Sequence, residues 1–399
     1  MAAPSSAATT AGEPRPRYEV ADIVCAYGAT YRQTHPVPGE HEVVLQAITR
    51  CRTAALGGHV EACEGCGVTR IAYNSCRNRH CPKCQGGRRA KWLAAQQALL
   101  LPVDYFHVVF TLPHELNALL RVNPRRLYAL LFRAAAATLQ TFARDPKYLG
   151  ADLGVTAVLH TWGQTLTQHV HVHCVVTGGG LSRDGRRWVS ARPRFLFPVR
   201  ALSKVFRGKF LAGLCRLRTR QRLTFAGVCA PLADSLTWQR WLRTLREVEW
   251  VVYAKPPFGG PQHVLKYLSR YTHRVAIANE RLRFVGEGVV RFQWKDYADH
   301  NRVKVLTLAA EEFLRRYLLH VVPRGFMRIR HFGLLANRHR AAKLTRCREL
   351  LGSSAPVLCD SLGVADAGGD AGRAPPCPAC GGRAFRVIDT LAPTRGIPP

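Results

Sequence analysis

Three histidines alternate in the stretch His169-Val-His171-Val-His173, and an apolar Cys-Val-Val run follows them directly. In an extended chain residues i, i+2 and i+4 face one side, so the imidazoles project together while the valines pack behind. Neutral imidazole is a common ligand for divalent metals, and one rigid element that presents several suits such an ion. The plainer reading, an amphipathic strand with a polar face, fits one histidine better than three in strict alternation. His160, eleven residues before His171, sits at the edge of a preceding strand-like run and would add a third ligand if those strands pair. His169 and His263 are the alternatives for that third place. No Asp or Glu lies within ten residues of His171 on either side, which speaks against a carboxylate-rich metallohydrolase.

Residues 262–274, QHVLKYLSRYTHR, read as a helix on which His263, Tyr267 and Tyr271 form one stripe, four residues apart. Lys266, Arg270 and Arg274 form a second, basic stripe at the same spacing. Most helical tyrosines simply pack with a wet hydroxyl. Beside a histidine strand in a very basic chain, a nucleophilic role becomes the better reading. A phenol with a pKa near 10 attacks weakly at neutral pH, and a metal polarising a scissile phosphate offsets that weakness. Basic side chains would stabilise the charge that develops. Attack gives a 5′-phosphotyrosine and frees a 3′-hydroxyl, so rejoining needs no ATP, and no GxxxxGK[ST] motif is present. Two tyrosines one turn apart would allow successive transfers.

A second metal chemistry is written in cysteine. Cys63-x2-Cys66, then fourteen residues, then Cys81-x2-Cys84 is the spacing of a four-thiolate zinc site with Zn–S distances of about 2.3 Å. Cys76 and His80 are spare ligands that could replace a cysteine or serve a second ion. Arg70, Arg77, Arg79 and Lys83 are interleaved and suit DNA phosphates, though a solvated basic surface would look the same. Near the C-terminal end Cys377-Pro-Ala-Cys380 is half of a similar site, which Cys359 and Cys347 could complete.

The remaining chain must position these groups. Its 399 residues carry 58 Lys plus Arg against 26 Asp plus Glu, a net charge of +32 that calls for a polyanion, nucleic acid above all. No apolar run approaches the ~20 residues of a spanning helix, which speaks against a membrane partner. Five of the fourteen cysteines fall between Cys63 and Cys84, a metal-type clustering expected in a reducing cytoplasm rather than a disulfide framework. The first residues, 1–17, read as a disordered tail without a secretory signal. Two helices broken at Pro36/Pro38 and the Cys-rich loop make a helical zinc-binding domain over 18–101. Irregularly alternating strands and helices over 102–345 make an α+β domain, and 346–399 reads as a linker with the last CxxC. Expected strands are 105–112, 154–162, 169–177, 248–254, 281–286 and 289–295. Expected helices include 88–101, 124–143, 200–222, 235–246 and 309–320.

The chain resembles insertion sequence 91 family transposases, members of the HUH class of single-strand nucleases. The resemblance rests on YNSCRNRHCPKCQ (73–85), HTWGQTLTQHVHVHCVVTGGGLS (160–182), KYLSRYTHRVAIANERL (266–282) and EEFLRRYLLHVVPRGFMRIRHFGLLAN (311–337). It implies an HUH-endonuclease-like antiparallel sheet with flanking helices, whose central strand carries the histidine pair at His171 and His173. Tyr267 and Tyr271 carry over as the nucleophiles. Relaxases of the same class take a third histidine eleven residues upstream, here His160. The implied activity is nicking and rejoining of single-stranded transposon ends with Mg2+ or Mn2+ at the histidines and structural Zn2+ at the cysteines. A replication initiator or relaxase shares this chemistry, and a non-catalytic zinc-dependent DNA-binding protein is the alternative of a different class.

Overall fold

A computed structural model describes residues 16–84, 92–97, 99–258, 263, 276–353 and 376–394. Its elements, numbered here in chain order, belong to two units. The first unit holds helices α1 (Val20–Thr34), α2 (Gly39–Thr49) and α7 (Ala310–Leu318) and two three-stranded antiparallel sheets. One sheet runs β12-β1-β2, from β1 (Gly58–Cys63), β2 (Thr69–Tyr73) and β12 (Phe385–Leu391). The other runs β10-β9-β8, from β8 (Leu282–Gly286), β9 (Val289–Asp296) and β10 (Arg302–Ala309). Helix α1 buries Val20, Ile23, Val24 and Tyr31, the i, i+3, i+4 pattern of a one-sided helix. The buried Asn279 side chain accepts from the Val20 N–H at 3.1 Å.

The second unit carries one six-stranded antiparallel sheet. Its order is β11 (Ile329–Gly333), β4 (Ala151–Trp162), β5 (Gln168–Ser182), β3 (Tyr105–Thr111) and β7 (Val252–Phe258), with β6 (Trp188–Ser190) paired to β5. Helices α3 (Asn117–Val122), α4 (Pro124–Arg144), α5 (Val199–Thr219), α6 (Ser235–Glu247) and α8 (Arg340–Leu350) complete it. Helix α4 starts on Asn123-Pro124, where proline loses no hydrogen bond, and buries Leu127, Leu130, Leu131, Ala134 and Leu139. The sheet's inner face meets these helices: Val108 and Phe110 of β3, Val155, Ala157 and Leu159 of β4, and Val170, Val172, Cys174 and Val176 of β5 share one core with Phe206 and Phe210 of α5. Phe206 lies 4.9 Å from Phe110 and 5.4 Å from Trp250 by ring centroids. Each such ring, fully buried, contributes about 1.5–3 kcal/mol.

The α+β expectation holds, with antiparallel sheets and flanking helices. The unit boundaries do not follow the expected consecutive segments: unit one gathers residues 16–84, 276–321 and 376–394, so the last segment is a strand of the cysteine-bearing unit rather than a trailing linker. Strands β10, β11 and β12 lie where none was expected: β10 and β12 are largely exposed and β11 is half-buried throughout, and charged residues interrupt the apolar signal in all three. The strand expected over 248–254 begins at Val252, since Trp250 leaves the strand path to bury its indole and donate Nε1–H to the Leu245 carbonyl at 2.9 Å. Of the expected helix 88–101, residues 92–97 are helical, 99–101 are not, and 88–91 and 98 lie outside the described residues. Among the described residues, no helix is long and apolar enough to cross a membrane.

The long β4–β5 ladder contains a register shift between Leu153 and Val155. There the buried Thr177 hydroxyl accepts from the Gly154 N–H at 3.0 Å and donates to the Gly179 carbonyl at 2.6 Å. Thr177→Val removes both partners' satisfaction and should destabilise the unit by about 1–3 kcal/mol. A denaturant midpoint unchanged from the parent chain would refute this role for the hydroxyl.

Candidate metal centres

The sheet face turned away from α4 and α5 gathers the histidines. In the antiparallel register His160 stands opposite His171, Val158 opposite His173, and Val109 of β3 opposite His173 from the other side. Directly opposed residues share a face, so His160, His171 and His173 point together. One ring nitrogen from each lies within 4.8 Å of the others. His171 Nε2 and His173 Nε2 are 3.0 Å apart, the spacing of neighbouring ligands each about 2.1 Å from a common ion. His160 and His171 are buried, while His173 keeps partial exposure. Trp162 stacks on His160 with centroids 4.6 Å apart.

Each pair member has its far nitrogen engaged. His171 Nδ1 sits 2.8 Å from the His169 carbonyl oxygen, which can only accept, so Nδ1 carries the proton and Nε2 faces the cluster with its lone pair. His173 Nδ1 sits 2.8 Å from Nε2 of His107, a β3 residue. If His173 turns its Nε2 lone pair to an ion, its Nδ1–H donates to His107. Burial, with the neighbouring imidazoles, holds His171 and His173 well below the usual imidazole range. Burial and the Lys255 ammonium take His107 down to about 3. These rings are therefore neutral at physiological pH, the ligand form of imidazole. His107 and Lys255 were not singled out from sequence. Neither carries a periodic signal, and it is the strand register that puts them opposite one another.

The other sequence candidates divide. His169 is exposed at the start of β5, its ring 4.9 Å from that of His171. His263 is exposed, and Lys266, Tyr267, Arg270, Tyr271 and Arg274 lie outside the described residues.

The cysteines form two quartets, which corrects the single site expected from Cys63, Cys66, Cys81 and Cys84. One quartet is Cys51, Cys76, Cys81 and Cys84; the other is Cys63, Cys66, Cys377 and Cys380. In the first, the Cys84 sulfur lies 3.4 Å from that of Cys51 and 3.5 Å from that of Cys76. So Cys76 is a full member and His80 is not: its ring turns to Asn78, Nδ1 3.2 Å from Oδ1. The His80 carbonyl accepts from the hydroxyl of buried Tyr317. Lys83, expected to hold phosphate, pairs with Glu19 at 2.5 Å. Arg77 is exposed and Arg79 half-buried.

In the second quartet Cys63 Sγ lies 3.5 Å from Cys380 Sγ, and Cys66 Sγ lies 3.5 Å from Cys377 Sγ. Both halves are the same knuckle. Gly67 N–H donates to the Cys63 carbonyl at 2.9 Å, and Gly381 N–H to the Cys377 carbonyl at 2.8 Å. Both glycines are left-handed, at φ 74° and 71°, a conformation L side chains resist. Cys-x2-Cys-Gly therefore identifies partners, and Cys81-x2-Cys84, followed by Gln85, lacks that glycine. Backbone N–H groups of Cys380 and Ala379 bring the Cys377 thiol down to about 6. Cys347, an expected completing ligand, is instead buried among leucines of the second unit, and Cys359 lies outside the described residues.

A family model described as "Putative transposase" matches residues 154–343, and one described as "Transposase zinc-binding domain" matches residues 23–112. "Putative transposase y4qJ" of Sinorhizobium fredii is 54% identical over 340 residues, 85% of each chain. The chain belongs to the insertion sequence 91 family of transposases. "Transposase for insertion sequence element IS801" of Pseudomonas savastanoi pv. phaseolicola is 29% identical over 331 residues, 80% of this chain and 76% of that one. No solved structure matches. A transposase acts on DNA, which agrees with the charge of +32. Of the metal-type clusters, the three histidines fall inside the first matched stretch and the Cys51 quartet inside the second. Cys377 and Cys380 fall outside both.

Burial, with the charge of Arg340, also depresses His331 of the transposase, to about 4; its Nδ1 lies 3.1 Å from the Thr156 hydroxyl. An unfolded histidine takes up its proton near 6.5 while the folded one refuses it, so this stability is complete above about pH 6.5 and is lost as pH falls towards 4. The melting temperature of His331→Gln should fall less over that window than the parent's. Parallel curves would overturn the assignment.

Proposed function

We propose that this transposase nicks and rejoins single-stranded DNA at the ends of its element, with Tyr267 or Tyr271 as nucleophile and His160, His171 and His173 as ligands of a divalent ion. The observation that carries the reading is the convergence of three imidazoles, two of them (His171 and His173) held neutral by burial, on the sheet face turned away from α4 and α5. A bound Mg2+ or Mn2+ would supply polarisation of the scissile phosphate. The tyrosine hydroxyl gives up its proton, its oxygen forms a bond to phosphorus, and the bond from phosphorus to the departing 3′-oxygen breaks. That oxygen takes up a proton. The DNA 5′ end is then held as a phosphotyrosine, and the reverse step with another 3′-hydroxyl rejoins it. Lys266, Arg270 and Arg274, one stripe over at helical spacing, would balance phosphate charge. Lys255, exposed and in register with His107, would add a cation on the histidine side. The cysteine-bearing unit would hold DNA through surfaces such as that of Arg77 and Arg79.

The histidine contacts give this reading a graded test. On a labelled oligonucleotide carrying an element end with Mg2+ or Mn2+, the parent chain should form denaturant-resistant adducts. Tyr267→Phe combined with Tyr271→Phe should abolish them while binding persists. His171→Ala should cut nicking by more than about 100-fold, exceeding the 10–100-fold typical of an outer partner. His107→Ala, which frees the His173 tautomer, should cost about 10–100-fold in apparent metal affinity and be rescued by excess metal. Adducts that survive the double tyrosine change, or nicking indifferent to His171, would sink the proposal.

A further inference from the structure

We propose that Cys63, Cys66, Cys377 and Cys380 bind a zinc ion of their own, distinct from any held by Cys51, Cys76, Cys81 and Cys84, and that it fastens residues 376–394 to the β1–β2 hairpin. The geometry of the four sulfurs is the first argument. All lie within 4.8 Å of one another, with two contacts running crosswise between knuckles at 3.5 Å. Two disulfides would instead bring paired sulfurs to about 2.05 Å. A tetrahedron of thiolates about 2.3 Å from its centre suits zinc.

The second argument is what the sheet lacks. Strand β12 hydrogen-bonds to β1 from Gly58↔Leu391 to Cys63↔Phe385, yet its residues 386–390 are all exposed. Val387 and Ile388 are 57% and 49% exposed. Strand β2 alternates exposed and half-buried positions without one buried side chain. A three-stranded sheet with so little buried apolar surface does not hold a returning segment by packing alone. Beyond the ladder, Thr394 N–H donates to the Ala54 carbonyl at 3.1 Å at the far end, and further contacts lie at the knuckle end. Glu64 N–H donates to the Ala384 carbonyl at 3.0 Å, and the Arg70 guanidinium lies 3.5 Å from the centre of the Phe385 ring while its Nε donates to Glu61 at 2.8 Å. A metal between the knuckles substitutes for the missing core.

Both knuckles are also built alike, each with a left-handed glycine after its second cysteine and an N–H returning to its first. Cys63 and Cys377 are buried, whereas Cys66 and Cys380 face solvent, so each knuckle offers one inner and one outer thiol. An ion thus has a route in.

The test counts thiolate-bound metal in the full-length chain. Loaded with cobalt, the parent should show the sulfur-to-cobalt charge-transfer absorption of two four-thiolate sites, and Cys377→Ser combined with Cys380→Ser should show half of it. An ion on the histidines does not contribute to that band. A soluble double variant with the parent's full absorption overturns the proposal, as does iron in place of zinc in the purified chain. Should the variant fold poorly, the parent itself decides. In zinc-loaded protein, alkylation mapped by mass spectrometry should find Cys63, Cys66, Cys377 and Cys380 slow to react, and a chelator should release them together. Cys377 and Cys380 reacting equally fast before and after chelation would refute it, as would a disulfide linking the two knuckles.

Discussion

The pairing of β4 with β5 decides which side chains meet. Side chains alternate along both strands, so a slip of one residue would turn His171 and His173 toward the helices and bring Val170 and Val172 to the opposite face. What prevents the slip is on the other side of the sheet, where Val155, Ala157, Leu159, Val170, Val172, Cys174 and Val176 are all buried beneath α4 and α5. The histidines themselves need supply no folding energy. The apolar residues interleaved with them fix the register, and the imidazoles are carried into position by it.

That division explains what could be read in advance. The alternation of His169, His171 and His173 announces a strand with one polar face, and β5 is that strand. Pairing with the run before it brings His160 opposite His171, because a tight turn over 163–167 leaves the two strands few other registers. His107 was harder to see, for a single histidine among Phe106, Val108, Val109 and Phe110 carries no periodic signal. The cysteines misled for a different reason. Local spacing suggests that neighbouring CxxC pairs combine, but a metal site joins whatever the fold brings together. The clue lay in backbone conformation: the glycines after Cys66 and Cys380 mark matching turns, and Cys51 carries no local mark, standing just past the end of α2.

Charge and burial work together around the histidines. In a chain with an excess of 32 positive charges, an imidazolium cluster would add to the molecule's self-repulsion. Burial makes protonation of His107, His171 and His173 unfavourable, helped by the Lys255 ammonium at His107 and by neighbouring rings at the other two. Neutral nitrogens then face inward, while the positive charge that suits a phosphate backbone stays on arginines and lysines around them.

Strand β1 is the middle strand of its sheet, hydrogen-bonded on one side to nearby β2 and on the other to β12, more than three hundred residues further along. A chain emerging from the ribosome therefore presents β1 early and completes it late, after the whole second unit has been made. Until then β1 keeps a bare row of amide and carbonyl groups, the kind of edge that invites pairing with another chain. Closing so long a loop is also a slow entropic search. The unit whose first strand is made early is thus completed last, once everything translated between has been made.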